Sequence, residues 1–163
     1  MFNSGEITKE MIMYFSGDCR RINHALKVYS FSKSIGECEK LDKNKLEILE
    51  AAAILHDIGI KESEKKYNSS AGNYQEIEGP PIAKAILKKL AYDEEFIDRV
   101  CFLIGNHHSY SKIDAIDFQI LIEADFLVNI FEDDIKLEEI KIVKEKYFKT
   151  GTGINLINSM YIL

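Results

Sequence analysis

The chain predicts an all-α fold, a single-domain helical bundle over residues 1–163. Three observations support this. Apolar residues recur at helical spacing along nearly the whole chain, and no segment shows a convincing period-2 alternation. The two prolines are adjacent, at Pro80 and Pro81, leaving the long periodic stretches uninterrupted. A composition of 46% hydrophobic and 29% charged residues is that of a globular domain with a core of its own. No internal repeat or linker divides the sequence.

The elements follow in order. Residues 6–15 form a short opening helix. Asp18 caps a second helix reaching about residue 35, because His24, Val28, Phe31 and Ile35 fall on one face. A third covers residues 44–58, with Leu46, Leu49, Ala53 and His56 on one stripe and Gly59 as its stop. Residues 61–78 are polar and carry Asn, Ser and Gly, so they read as a long loop, which in a compact domain is usually functional. Pro80 and Pro81 suit the first turn of a helix continuing to about residue 90. Further helices are expected at 93–106 and 117–131, with weaker ones at 136–148 and 153–162.

Bulk properties exclude several classes of function. The formal net charge is −6, which provides no broad field for long nucleic acid. A small phosphorylated substrate is compatible with that charge, because a bound metal reverses its sign locally. No apolar run approaches the roughly 20 residues that cross a bilayer, so no membrane partner is expected. The N-terminus lacks the basic start and apolar block of a signal peptide. Cys19, Cys38 and Cys101 are odd in number and widely spaced, as reduced thiols of a cytoplasmic protein are. The apolar C-terminal stretch fits either the chain's own core or a second copy in a homodimer.

Polar residues inside apolar runs carry the functional information. His56 and Asp57 end the run Ala-Ala-Ala-Ile-Leu, and Asp125 lies within Leu-Ile-Glu-Ala-Asp-Phe-Leu-Val. Burying an imidazole and carboxylates is costly unless something pairs with them. A divalent cation answers these costs together, and the donor set suits zinc, manganese, iron, cobalt or nickel. A tyrosine or amide hydrogen-bonded to Asp125 answers only its own cost. Asn129 follows Asp125 by one turn and is a candidate contact for ligand or substrate. Asn106 suits a helix cap. Glu123 sits off the Asp125 face and is expected to be exposed. The aromatic residues are mostly core material, and only Tyr67, Tyr74 and Tyr110 fall in segments flanking the expected cavity.

His24 on a helix, His56-Asp57 within Leu-His-Asp-Ile-Gly, and Asp125 within Glu-Ala-Asp-Phe-Leu resemble the H…HD…D signature of the HD-domain metal-dependent phosphohydrolase superfamily over residues 20–130. The resemblance implies that these four residues bind one divalent ion and that the activity is hydrolysis of a phosphomonoester or phosphodiester. His107-His108 is similar to the His pair of family members holding two ions, with Asp57 the bridging carboxylate. The further His of those members is missing here. Gln75, Glu76 and Glu78 occupy its neighbourhood, and the carboxylates Glu76 and Glu78 are the favoured replacements. One or two ions, including magnesium, are thus implied. Arg21, three residues before His24, shares its face and is a phosphate-binding candidate. Lys61 is another, displaced by one position from the lysine many members carry, while Lys61, Lys65 and Lys66 together read as a solvated face. No Gly-Tyr-Pro segment of the second-messenger phosphodiesterase branch follows Asp125. Two alternatives have other sequence implications. A noncatalytic ligand- or metal-binding module would lose motif ligands, and all four core ligands are present. A mixed-valent di-iron oxygenase would use added histidine and carboxylate ligands.

Overall fold

A computed structural model describes all of residues 1–163. Nine α-helices and one short 3-10 turn make up the chain, with no strand. The helices are α1 (Ser4–Phe15), α2 (Cys19–Cys38), α3 (Lys43–Leu55), α4 (Ile60–Tyr67), α5 (Gly72–Lys89), α6 (Glu94–Ile104), α7 (Ile116–Glu132), α8 (Leu137–Tyr147) and α9 (Gly151–Tyr161).

Side-chain caps set several helix starts. Asp18 accepts from the Arg21 amide at 3.2 Å, as its position predicts, and Asn3, Asp42, Asp93 and Thr150 serve α1, α3, α6 and α9 in the same way. Every residue from Ile48 to Leu55 on α3 is buried, and α7 is buried along most of its length. Helices apolar all round belong in the middle of a domain. Helix α2 packs on both of them, while α5 and α6 pair beside α3. The ends of α2, α3 and α7 thus share one region, and polar side chains there face each other.

The structure corrects the loop expected at 61–78. Ile60 and Ser63 bury one face of α4 while its charged residues stay in solvent, so a narrow apolar stripe suffices for a helix of largely polar composition. Asn68 adopts a left-handed conformation (φ 50°) and ends α4. The break is therefore confined to a few residues. Pro80 and Pro81 lie inside α5 rather than in its first turn. They leave the carbonyls of Glu76 and Ile77 without helical donors, where Gly79 meets Ile104 and Pro80 approaches Gly105.

Two further expectations are revised. Gly59 has φ −76° and is no left-handed stop. Its lack of a side chain matters because a Cβ there would lie 2.6–2.9 Å from the backbone of Gln75 and Gly79. Glu123 is fully buried, not exposed. It accepts from Gln119 Nε2 at 2.8 Å, from the amides of Lys149 and Thr150 at 2.6 and 2.9 Å, and from the Thr150 hydroxyl. Four donors hold a carboxylate that also fixes the start of α9. Ile157 on that helix is buried in the chain's own core. No helix is long and apolar enough to cross a membrane.

Candidate metal centre

The three elements meeting in that region bring the H…HD…D residues together. His24 projects from α2, Asp125 from α7, and His56 and Asp57 from the turn closing α3. His24 Nε2 lies 3.1 Å from His56 Nε2, 3.2 Å from Asp125 Oδ1 and 3.4 Å from Asp57 Oδ2. His56 Nε2 is 3.5 Å from Asp57 Oδ2 and 3.6 Å from Asp125 Oδ1. The other oxygen of Asp57 faces His107 Nε2 at 3.5 Å.

Hydrogen bonds on the far side of each ring fix which nitrogen faces inward. His56 Nδ1 donates to the Ala53 carbonyl and His107 Nδ1 to the Ile104 carbonyl, both at 2.7 Å. His24 Nδ1 lies 2.8 Å from Glu132 Oε2. In the neutral ring each Nε2 then presents a lone pair. His107 Nε2 is buried without a hydrogen-bond partner. The interior is therefore a cluster of acceptors, which only protons or a cation can reconcile.

Electrostatics lead to the same conclusion. Burial disfavours charging His56, but Asp57 and Asp125 outweigh it and push its pKa up to about 9. His24 moves upward against its own burial through Asp125 and Asp57. Burial would raise Asp57, yet His56 and His107 hold it well below the usual carboxylate range. Asp125 is likewise held down against burial by His24 and His56. His108 is lowered to about 4, first by burial and then by His107, and stays neutral. Protons at this cluster therefore occupy positions a cation would take.

Ligand atoms of His24, His56 and Asp57 all lie within 4.8 Å of one another, as do those of Asp57, His107 and His108. The donor set fits a divalent ion in the first group and extends through Asp57 into the second. Neither glutamate favoured from sequence joins them. Glu76 accepts from the His108 amide at 3.0 Å and from the Ser109 hydroxyl. Glu78 accepts from Lys66 Nζ at 2.8 Å and Tyr67 Oη at 2.9 Å. Gln75, the neutral residue set aside, faces His108 Nε2 at 2.9 Å and lines the cleft above Asp57.

Asn129 donates to Asp125 Oδ1 at 2.9 Å and also lines that cleft. Arg21 reaches the cleft, but Asp18 and Glu64 already engage its guanidinium. Lys61 is directed away from it, donating to the Tyr14 carbonyl at 2.9 Å. The last turn of α1 leaves that carbonyl free to accept it. Tyr67 and Tyr74 stack on each other, with centroids 4.1 Å apart, and Tyr110 packs against Phe126 and Tyr147. Sequence reading missed Glu132. It follows Asp125 and Asn129 at helical spacing, and it is the one carboxylate orienting a ring of the cluster; a salt bridge of 2.6 Å joins it to Lys27.

A helical domain that gathers three imidazoles and two carboxylates beneath a polar cleft carries groups that could hold a metal ion. The HD domain family model matches residues 21–145. The chain belongs to the HD domain family. The crystal structure of a predicted HD superfamily hydrolase from an uncultured Thermotogales bacterium is similar, with a TM-score of 0.70 and 25% identity over 96% of this chain and 84% of the other. A search among curated proteins gave no match.

Proposed function

We propose that this protein is a metal-dependent phosphohydrolase that cleaves a phosphomonoester or phosphodiester of a small metabolite or nucleotide. One observation carries the reading. The inward Nε2 atoms of His24, His56 and His107 and the carboxylates of Asp57 and Asp125 converge, and while the rings are neutral no donor lies among them. The hydrolase similar in fold supports the same class of chemistry.

His24, His56, Asp57 and Asp125 would hold the ion, and His107 and His108 a second one beside Asp57. Bound there, the metal supplies Lewis-acid polarisation of a phosphoryl oxygen and lowers the pKa of water. The chain's own groups do the rest. Glu132, Ala53 and Ile104 fix the tautomers of the three rings, so no lone pair is lost to rotation. Asn129 restrains Asp125. His107 Nε2, buried and unpartnered, keeps its one lone pair turned inward toward the second group of ligands. In the hydrolysis the water oxygen bonds to phosphorus, the ester P–O bond breaks, and the departing alkoxide takes up the proton that the water gives up.

The test is Asp57→Ala, which removes the carboxylate shared by both ligand groups. Chelator-stripped protein reloaded with Mn2+ should hydrolyse p-nitrophenyl phosphate, and the variant should lose at least about 1000-fold, consistent with loss of transition-state charge stabilisation. Its helical circular-dichroism signal should persist. Full activity in a folded variant would remove Asp57 from the mechanism.

A further inference from the structure

The cleft over the cluster has a volume of about 470 Å³, and Ile60 is its only apolar lining residue. Small-molecule pockets are mostly apolar with a few polar groups, so this lining narrows the ligand. A nucleobase finds no platform here. Tyr67, Tyr74 and Tyr110 are spent on one another or on core rings, and none lines the cleft. Additional phosphate groups meet the carboxylates of Asp18, Glu132 and Asp133 along the wall.

Several lining groups remain uncommitted. Asn129 uses its amide nitrogen on Asp125, leaving Oδ1 as a spare acceptor. Asp133 and Arg20 are exposed and only 3.9 Å apart at closest, a loose pair with both groups open to a ligand. Ser70 gives its carbonyl to Gln75 and keeps its hydroxyl. Carboxylate and amide oxygens set beside guanidinium and hydroxyl donors match a run of neighbouring hydroxyls, each of which both donates and accepts.

We propose that the substrate is a monophosphate ester of a polyhydroxylated carbon chain, a sugar or polyol phosphate, with its hydroxyls bound by Asp133, Asn129, Ser70 and Arg20. This rests on the phosphohydrolase reading. Hydrolysis then yields inorganic phosphate and the free sugar or polyol. A site built to hydrogen-bond hydroxyls rejects analogues that lack them.

The experiment uses the full chain loaded with Mn2+ and compares kcat/KM for glucose 6-phosphate, ribose 5-phosphate, 2-deoxyglucose 6-phosphate, AMP, dAMP and p-nitrophenyl phosphate. The sugar phosphates should exceed the nucleotides by at least about 10-fold, the usual worth of one hydrogen bond to a charged group. Asp133→Ala should raise KM for the preferred sugar phosphate by about 10-fold on the same ground, with kcat and the KM for p-nitrophenyl phosphate unchanged. Ser70→Ala should act in the same direction more weakly. Equal or better use of nucleotides overturns the proposal, as does a KM rise shared by p-nitrophenyl phosphate. Hydrolysis of none of the esters, p-nitrophenyl phosphate included, defeats the underlying phosphohydrolase reading and the sugar proposal with it.

Discussion

Glu132→Gln isolates the contribution of a single carboxylate to the cluster. Glu132 Oε2 lies 2.8 Å from His24 Nδ1 and its other oxygen 2.6 Å from Lys27. Burial disfavours its charge, but Lys27 and His24 keep its pKa low, so it is ionised at neutral pH. An ionised acceptor on Nδ1–H makes Nε2 a better electron donor and holds the ring plane. Glutamine keeps an oxygen in reach but loses the charge. Removing such an outer partner costs about 10–100-fold in metal affinity, or about 1.4–2.7 kcal/mol. Glutamine should lie near the lower bound and Glu132→Ala near the upper. The assay is competition between chelator-stripped protein and a fluorescent Mn2+ indicator at pH 7, with thermal unfolding confirming the fold. Affinity within about 3-fold of wild type in both folded variants, well short of the expected loss, would refute the coupling of Glu132 to the metal through His24.

Proton linkage gives a second expectation. His56 titrates at about 9 in the metal-free fold against about 6.5 unfolded. The folded state thus binds the extra proton, and its stabilisation is complete below about pH 6.5 and lost as pH rises through about 9. The melting temperature of chelator-treated protein should fall across that window. Mn2+ affinity should rise across it as protons cease to compete; a flat profile for both would contradict the cluster's electrostatics. Gly59→Ala should cost about 1–3 kcal/mol and lower the melting temperature by about 2–10 °C. Its Cβ has no room against the backbone of Gln75 and Gly79, and an unchanged melting curve would show that α5 yields freely.

The helices and the cluster were legible for different reasons. Asp18 and Asp93 announce α2 and α6 because capping is local chemistry. His56, Asp57 and Asp125 stood out because each interrupts an apolar run, and such interruptions need compensation. Helix α4 was not legible, since its apolar face is short and the stabilising contacts come from elsewhere in the fold. Glu123 escaped for a related reason. Its burial depends on the amides of Lys149 and Thr150, which no local pattern places beside it. Lys61 has a suitable charge and position in sequence, but its direction depended on where α1 leaves a free carbonyl.

The choice among Gln75, Glu76 and Glu78 shows what governs side chains at the edge of such a cluster. Charge alone favours a glutamate facing metal ligands. A carboxylate on α5, however, goes where donors are supplied. Glu76 finds the His108 amide and the Ser109 hydroxyl, and Glu78 finds Lys66 and Tyr67. The position facing His108 offers a backbone acceptor on its other side, the Ser70 carbonyl. A carbonyl can only accept, so Gln75 must turn its NH2 toward Ser70 and its oxygen toward His108. An amide satisfies both neighbours, and a carboxylate would oppose the Ser70 carbonyl. What α5 adds beside Asp57, His107 and His108 is therefore a neutral oxygen that accepts from His108 Nε2 and fixes the tautomer of that ring.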